Sequence, residues 1–505
     1  MAGTTKSLIT GSFLRTIGLA VNVITAFFIM PFVIHNLGDR WYGIWVIVGG
    51  FMGYYGLLDF GITSATNRFI AMHIGRNENR EVNIAFNTSL GMFTIVGTAA
   101  AIVSLIIVCF APYFVKNPAD IVLLRKVLFV MGLDIAVSFP LRTFTAILAA
   151  KLRYDLISYS AIAKTLLRAA LIVYFIGKGY SVFSLAVITL VVNMSERLSM
   201  MVFAWKNFPL LKIKLSLFDR YRIKEYLNYS VYTFMASIGD MIRFKLDIMV
   251  IAFFLGSVLV THYNIALSLH EYSGQLVFGL ITGTLPVLVG YYANNDFENL
   301  REKFMMLTRF GLVISIAVSG AVIILAQPFI NRWMGANYLD AILPLVILRI
   351  VSALGVGQNS SVQILYAMAK HKFYAYMTLG EAIANLILSL LLVKPYGMAG
   401  VALGTAIPFV VTKFFIMPPY VCKLLKLPVK QYYSQLIKLI VVPGAAHIPF
   451  YFLIQYFQVS SYFSMILAGA GYYLVYGYCL LHLLLPQADR SYLVEAMPYF
   501  KKILA

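Results

Sequence analysis

Long apolar runs occupy most of this 505-residue chain, and no other feature restricts its fold as strongly. A helix that crosses the hydrocarbon core of a membrane needs about 20 mostly apolar residues. Fourteen stretches meet this requirement, and their centres lie near residues 22, 53, 97, 134, 166, 192, 241, 274, 315, 353, 382, 409, 444 and 472. The sequence therefore predicts an all-α polytopic membrane protein with about 14 transmembrane helices.

Composition and charge agree with a membrane protein. Hydrophobic residues make up 61% of the chain and charged residues 12%, whereas soluble domains carry about 25% charged residues. Lysine and arginine accumulate in cytoplasmic loops. With both termini in the cytoplasm, the inner loops and tails hold most loop cations, and the outer loops hold only Arg40, Lys116, Lys178, Arg332 and Lys394. The net charge of +20 therefore indicates topology and contact with anionic membrane lipids, and not nucleic-acid binding.

The chain contains an internal repeat. Its segment from Ala149 aligns without a gap on the segment from Met368. Two shorter matches have similar offsets along the chain, because Gly38 corresponds to Gly256 and Pro112 to Pro328. Similar offsets at separate places indicate a duplication.

Each repeat would hold six spans, so the two lobes would enter the membrane in the same sense and be related by pseudo-twofold symmetry about the membrane normal. Substrate would bind between them and be moved by rocking. The predicted parts are an N-terminal lobe at 1–206, a basic cytoplasmic connector at 207–224, a C-terminal lobe at 225–422, and two extra helices with a cytoplasmic tail at 423–505.

Several charged residues fall inside the predicted spans, where each costs at least about 2.5–3.5 kcal/mol. The embedded cations are Arg15, Arg142, Lys164, Arg168, Arg243, Lys245, Arg309, Arg349 and Lys413. The embedded anions, candidates for ion coupling or cavity lining, are Asp134, Asp240, Asp247, Glu271 and Glu381. Because cations outnumber anions, this pattern predicts an electropositive cavity and an anionic, partly lipidic cargo such as a diphosphate.

Alternatives remain for individual charges. Arg15, Arg309 and Lys413 lie near the inner surface and could equally snorkel to it, whereas Lys164, Arg168, Arg243 and Lys245 are more central and favour a cavity lining. Hairpin geometry brings Asp134 level with Arg168, and Glu271 level with Asp240. Asp240, Arg243 and Asp247 share one face of their helix.

Asp59 lies in the apolar stretch YYGLLDFGITSATNRF. Two interpretations have equal weight. In the first, Asp59 pairs with Arg68 or with a basic loop of the other lobe and latches an inner gate. In the second, it makes a local bond that ends its own helix, helped by Gly61. The residue alone does not decide between them.

Catalytic and metal chemistry find no support in the sequence. The three cysteines, Cys109, Cys422 and Cys479, are far apart, and no Cys or His pair has the spacing of metal ligands. No nucleophile motif or phosphate-binding loop is present. We therefore expect neither an enzyme, nor a metal site, nor a cofactor.

Three stretches resemble a known family: PFVIHNLGDRWYGIWVIVGGFMGYYGLLDFGITSATNRFIA, DIMVIAFFLGSVLVTHYNIALSL and NLILSLLLVKPYGMAGVALGTAIP. They are similar to the Wzx-like O-antigen and polysaccharide flippases of the multidrug/oligosaccharidyl-lipid/polysaccharide (MOP) exporter superfamily. The resemblance implies transfer of an undecaprenyl-diphosphate-linked oligosaccharide, such as the O-antigen unit of lipopolysaccharide, across the bacterial inner membrane.

The same resemblance implies that Arg15 and the cations of the seventh span face the diphosphate-sugar. It also implies two added helices, as in lipid II flippases, and coupling to a proton or sodium gradient through Asp134, Asp240, Glu271 or Glu381. Contact with polysaccharide polymerase machinery is a further expectation.

Two rival functions remain. A multidrug exporter of the same superfamily would need an anionic cavity for organic cations, which is opposite in sign to the surplus here. A membrane polysaccharide polymerase or glycosyltransferase would usually need a sizeable extramembrane loop, whereas the predicted outer loops are all short.

Overall fold

The computed structural model describes residues 2–113, 118–227, 234, 246–281, 284–480 and 486. Within these residues the secondary structure is helical, with no strand. Nine helical segments of this described part are long and apolar enough to cross a membrane. Every predicted centre lies in a described helix, except the one near residue 241, which falls outside the described residues. The all-α polytopic fold is confirmed, while the count of 14 spans stays a prediction.

The chain divides into two compact units, Met1–Thr261 and His262–Ala505. The first unit contains helical residues 246–254 and seven α-helices: α1 (Ala2–Leu37), α2 (Asp39–Tyr54), α3 (Ile62–Gly75), α4 (Asn79–Cys109), α5 (Pro118–Ala150), α6 (Tyr154–Gly177) and α7 (Val182–Asn207). The predicted boundaries of lobes, connector and extra helices stay predictions.

The second unit begins within α8 and contains a long helix interrupted by non-helical dihedral angles at Gly397. Its helices are α8 (Ser257–Ile281), α9 (Leu285–Ala293), α10 (Phe297–Trp333), α11 (Ile342–Gly357), α12 (Asn359–Ala367), α13 (His371–Val410), α14 (Met417–Leu425), α15 (Val429–Tyr456) and α16 (Tyr462–Cys479). A π-helix, Val411–Ile416, joins α13 to α14.

Glycines allow α4 and α5 to pack closely. A Cβ atom on Gly97 of α4 would lie 2.4 Å from the carbonyl oxygen of Ala136 in α5. In the same helix pair, a Cβ atom on Gly132 would lie 2.4 Å from the Cβ atom of Ser104. Small residues at a helix interface permit this close backbone approach in membranes. The α4–α5 contact thereby fixes the position of the charged side chains that α5 carries.

Left-handed residues support the internal repeat. Gly38 and Gly256 both have positive φ, as do Gly179 and Gly397, and the separation along the chain is the same for both pairs. Further equivalent residues with positive φ are Asn77 with Asn295, at that same separation, and Leu152 with Ala369, at a separation one residue shorter. Left-handed turns are uncommon outside glycine, so their recurrence indicates that both repeats end their helices alike. Near Leu152 the offset differs by two residues from the gapless alignment of the sequences.

Candidate functional site

Three helices of the first unit bring charged groups together near their middles. Asp134 lies at the centre of α5 and is only 4% exposed. Its Oδ2 accepts a hydrogen bond from Asn193 Nδ2 of α7 at 2.8 Å. The positive charges of Arg197, Arg168 and Lys164 are close enough to stabilise the ionised carboxylate. A buried carboxyl group and a set of central cations therefore share one site, which we call the α5–α7 cluster.

Helical spacing explains how the α5–α7 cluster forms. Lys164 and Arg168 are four residues apart on α6, and Asn193 and Arg197 are four residues apart on α7. Residues at this spacing lie on one face of a helix. The faces of α6 and α7 that carry these groups therefore both point towards Asp134, in agreement with the electrostatic interactions above.

Lys164 forms a direct ion pair across the same helices. Its Nζ donates to Glu196 Oε2 of α7 at 2.8 Å. Both residues line a cavity of about 450 Å³ between α6 and α7, together with Tyr159, Ser160 and Ser195. The pair compensates the charge of Lys164, so the lysine does not contribute an uncompensated positive charge to this cavity.

Arg168 and Arg197 differ from Lys164, because neither guanidinium has a hydrogen bond or an ion pair within the part of the chain that the structure describes. The Nε atom of Arg197 is buried and makes no hydrogen bond. The hairpin prediction of an Asp134–Arg168 pair is thus met only in part: the two groups are close, but Asn193 takes the direct bond to the carboxylate. The guanidinium groups of Arg168 and Arg197 therefore remain available as hydrogen-bond donors beside the Asp134 carboxylate.

Asp59 contacts another of the predicted cations in the same unit, Arg142. It ends the 3-10 turn Tyr55–Asp59, and the two following residues, Phe60 and Gly61, are left-handed before α3 begins. Thr63 Oγ1 donates to Asp59 Oδ1 at 2.6 Å, and Arg142 Nη1 of α5 lies 3.8 Å from the same oxygen. The carboxylate therefore bonds forward to α3 and sideways to α5. Arg68, predicted with it as a gate, is exposed on α3 and is not among these contacts.

In the second unit Arg349 is enclosed by helices. Its side chain is 1% exposed, its Nη2 donates to Ser319 Oγ at 2.7 Å, and its Nη1 donates to the carbonyl oxygen of His270 at 3.4 Å. Polar groups of α8 and α10 therefore bind the guanidinium, and its predicted role as a cavity cation stays a prediction. Its Nε finds no acceptor among the described residues.

Glu381 contacts the π-helix Val411–Ile416, which carries Lys413. Thr412 Oγ1 donates to Glu381 Oε2, which places the carboxylate beside the turn that carries Lys413. Lys413 is 5% exposed, and its ammonium lies 4.5 Å from the centre of the Tyr374 ring. The lysine is therefore buried among helices and does not reach a surface by snorkelling in this unit. Isolated π-helical turns often occur at functional sites.

The remaining predicted residues are dispersed or lie outside the description. Arg15 is exposed on α1, Asp247 is 3% exposed, and Glu271 is half-buried on α8. Arg309 Nη1 donates to Gln435 Oε1 of α15 at 3.1 Å. Asp240, Arg243 and Lys245 lie outside the described residues, so their predicted roles stay predictions.

The sequence analysis did not select Glu196 or Arg197. Both lie in NMSERLSM, near the middle of the span centred on residue 192, and they are as central as Lys164 and Arg168. The signal that could have identified them is the same one used for the other embedded charges. Their omission matters because Arg197 is one of the cations nearest to Asp134.

Comparison with known proteins identifies the family of this chain. The family described as "Polysaccharide biosynthesis protein" matches residues 53–343, which is more than half of the chain. The chain belongs to this polysaccharide biosynthesis protein family. A relative from Bacillus subtilis (strain 168), the uncharacterized membrane protein EpsK, is 19% identical over 426 residues, covering 80% of this chain and 81% of EpsK.

Solved structures show the same fold for this polysaccharide biosynthesis protein. The lipid II flippase MurJ in an inward closed conformation aligns with a TM-score of 0.66 and 15% identity, covering 98% of this chain and 100% of MurJ. An inward-facing multidrug resistance MATE family transporter of the MOP superfamily aligns with a TM-score of 0.65 and 16% identity, covering 83% of this chain and 98% of the transporter. The family is thus shown to be the polysaccharide biosynthesis proteins, and the fold is the one that this chain shares with MurJ and with a transporter of the MOP superfamily.

Proposed function

We propose that this protein is a flippase that moves an undecaprenyl-diphosphate-linked oligosaccharide, an O-antigen or other surface polysaccharide unit, across the bacterial inner membrane by alternating access. The observation that carries the proposal is the pair of central guanidinium groups, Arg168 and Arg197, which lack hydrogen bonds and ion pairs in the described part of the chain. Cations without a direct hydrogen-bond partner are expensive inside a membrane and persist there when they serve a polar ligand.

The chemistry of the α5–α7 cluster suits a diphosphate. A guanidinium presents parallel N–H donors that match two phosphate oxygens, and such charge-assisted bonds are stronger than neutral ones. When the neighbours Arg142, Asp59 and Glu196 are added to this cluster, there are four cations, Arg142, Lys164, Arg168 and Arg197, and three anions, Asp59, Asp134 and Glu196. A diphosphate would therefore bind favourably, whereas an organic cation would meet a site of the wrong sign.

Ion coupling belongs to the same proposal. Asp134, Asp240, Glu271 and Glu381 are the candidate carriers of a proton or sodium ion. Asp134 is the one that would couple most directly to cargo, because a change in its charge alters the field felt by Arg168 and Arg197. Cargo binding and protonation at this site would then influence each other.

The test is translocation of a fluorescent undecaprenyl-diphosphate oligosaccharide in proteoliposomes. We expect the double variant Arg168→Gln/Arg197→Gln to lower the initial rate at least tenfold. Arg76→Gln, which removes an exposed arginine between α3 and α4, serves as the matched control and should retain the rate. Transport of organic cations by the unsubstituted protein, with no movement of the lipid-linked sugar, would instead support a multidrug exporter and overturn the proposal.

Deletion of the gene in its host provides a second measurement. Lipid-linked repeat units should accumulate on the cytoplasmic face of the inner membrane, because their synthesis continues while their transfer stops. Unchanged surface polysaccharide and no accumulation would contradict the proposed function.

A further inference from the structure

The segment that leaves α7 returns along α4 and is held there by two asparagine side chains. Asn83 Nδ2 donates to the carbonyl oxygen of Leu210 at 3.1 Å, and Asn83 Oδ1 accepts from the backbone N–H of Lys212 at 2.6 Å. One turn later, Asn87 Nδ2 donates to the carbonyl oxygen of Lys212 at 2.7 Å, and Asn87 Oδ1 accepts from the N–H of Lys214 at 2.9 Å. The two amides thus bind the segment as a neighbouring strand would.

Together with bonds inside α4, these contacts satisfy the asparagine amides, and the backbone groups of the segment that they bind, without water. The second N–H of each asparagine amide goes to its own helix, at 2.9 Å to the carbonyl oxygen of Asn79 and at 2.8 Å to that of Asn83. Thr88 Oγ1 accepts the N–H of Asp219 at 3.1 Å. Backbone groups need such internal partners where water is scarce. A loop that stayed in bulk water would gain little from them.

The position on α4 points to the membrane interface. α4 has 31 residues, which corresponds to about 46 Å, and the hydrocarbon core is about 30 Å thick. The segment contacts α4 between Glu81 and Gly91, within the first turns of the helix. A Cβ atom on Gly91 would lie 2.5 Å from the ring of Phe218, so the segment is in direct contact with the helix there. The excess length of about 16 Å over the core allows this end of α4 to extend beyond the hydrocarbon, to the level of the lipid headgroups.

The outward side of the segment is basic and apolar together. Leu215 is 91% exposed and Tyr221 80% exposed, although both are large and hydrophobic. Four cations are also exposed: Lys212, Lys214, Arg220 and Lys224. Arg222 is excluded from this set because it pairs with Glu81 and lies 3.4 Å from Asp219. Apolar groups flanked by lysine and arginine are typical of interfacial segments, in which the apolar groups enter the acyl boundary and the cations stay at the headgroups.

We propose that residues 210–224 form an interfacial anchor that binds anionic lipid headgroups through Lys212, Lys214, Arg220 and Lys224 while Leu215 inserts between the lipids. The partner is the membrane leaflet at the α4 N-terminus, selected by charge complementarity. The asparagine pair makes this possible because it satisfies the backbone at a depth with little water. The anchor does not depend on the identity of the cargo.

Spin-label depth measurement tests the anchor in the full-length chain. A Leu215→Cys label, in protein with Cys109, Cys422 and Cys479 replaced by alanine, is compared in nanodiscs of phosphatidylcholine alone and in nanodiscs in which phosphatidylglycerol replaces a third of the lipid. In the anionic nanodiscs we expect collisions with oxygen to exceed those with the water-soluble nickel reagent. A label at Arg76→Cys, which lies outside the segment, should be exposed to nickel in both.

Charge neutralisation completes the test. Lys212→Gln/Lys214→Gln/Arg220→Gln/Lys224→Gln should reduce the dependence of label depth on phosphatidylglycerol at least threefold without lowering the yield of folded protein. If that variant does not fold, a high salt concentration applied to the unsubstituted cations must produce the same loss of depth, because salt screens exposed charges. A Leu215 label that stays equally accessible to nickel in both lipids would overturn the proposal, as would a label that becomes protected only when a soluble protein is added.

Discussion

Asp59 lies where the helical path of the second span breaks, and its carboxylate contacts the helix that follows the break and a neighbouring helix. Thr63 of α3 donates a hydrogen bond to Asp59, and Arg142 of α5 forms an ion pair with it. The local bond agrees with one of the two sequence interpretations, with the difference that it starts the following helix. The gate interpretation stays a prediction, and Arg142 is now the partner through which it can be examined.

A double-mutant cycle on Asp59→Asn and Arg142→Gln tests this pair. The distance of 3.8 Å and the partial exposure of both side chains predict a coupling in unfolding free energy of about 0.5–1 kcal/mol. If the pair also latches a gate, either single variant should change the inward-to-outward population and the double variant should add nothing further. Additive effects on that population would contradict a latch formed by these two groups.

Asp134 supplies the compensating charge for Arg168 and Arg197. Asp134→Asn can keep a hydrogen bond to Asn193 but removes the negative charge that interacts with both Arg168 and Arg197. We expect a loss of about 1–3 kcal/mol in unfolding free energy, measured by detergent titration. Asp155→Asn, which breaks an ion pair with Arg153 at a helix end, should cost less than about 1 kcal/mol. Equal losses for both variants would argue against a special role of Asp134.

Sequence analysis selected Asp134, Lys164 and Arg168 because hydropathy marks any charge in an apolar run. It did not predict that Asn193 would take the direct bond to Asp134, since partner choice depends on how α5 and α7 face each other. Burial also required the structure: Arg349 and Lys413 resemble cavity cations in sequence, yet helices enclose them. The position of a charged residue along its helix can be predicted from the sequence, whereas the direction of its side chain around the helix axis depends on how the helices pack.

Individual helices were predictable because their length and apolarity leave no alternative in a membrane. The close contacts between the helices were less predictable. Gly97 and Gly132 provide the α4–α5 interface, yet nothing in the sequence separates them from Gly49, around which a Cβ atom would have open space. The π-helix Val411–Ile416 was likewise invisible to hydropathy, because it does not change the apolar character of the chain. The break at Gly397, in contrast, falls between the predicted spans centred near residues 382 and 409.

Alanine substitution separates these glycines. Gly97→Ala and Gly132→Ala each introduce a Cβ atom at 2.4 Å from a neighbour in the facing helix, and overpacking of this kind costs about 1–3 kcal/mol. Gly49→Ala should be neutral or stabilising by up to about 1 kcal/mol, since alanine favours helices. Thermal unfolding in detergent measures all three. A melting temperature unchanged by Gly97→Ala would show that α4 and α5 do not approach as closely as described.

At the scale of the whole chain, the distribution of lysine and arginine predicts an orientation that the fold by itself leaves open. Cysteine labelling with a membrane-impermeant maleimide measures it, in protein without Cys109, Cys422 and Cys479. Lys178→Cys, exposed after α6, should label in intact spheroplasts, and Lys370→Cys, exposed before α13, should label only after permeabilisation. The reverse pattern would place both termini outside.

The recurrence of left-handed turns gives the duplication an energetic consequence. Gly38, Gly179, Gly256 and Gly397 have positive φ, and a Cβ atom on any of them would meet nothing within 4 Å. Alanine at each position should therefore cost backbone strain alone, about 1–2 kcal/mol. The losses should agree within each equivalent pair, because the two repeats impose the same conformation at corresponding positions. Unfolding free energies of the four variants test this, with Gly49→Ala as the helical control. A loss at Gly38 with none at Gly256 would mean that the turns only look alike, and that the repeats share a hydropathy pattern without sharing a backbone.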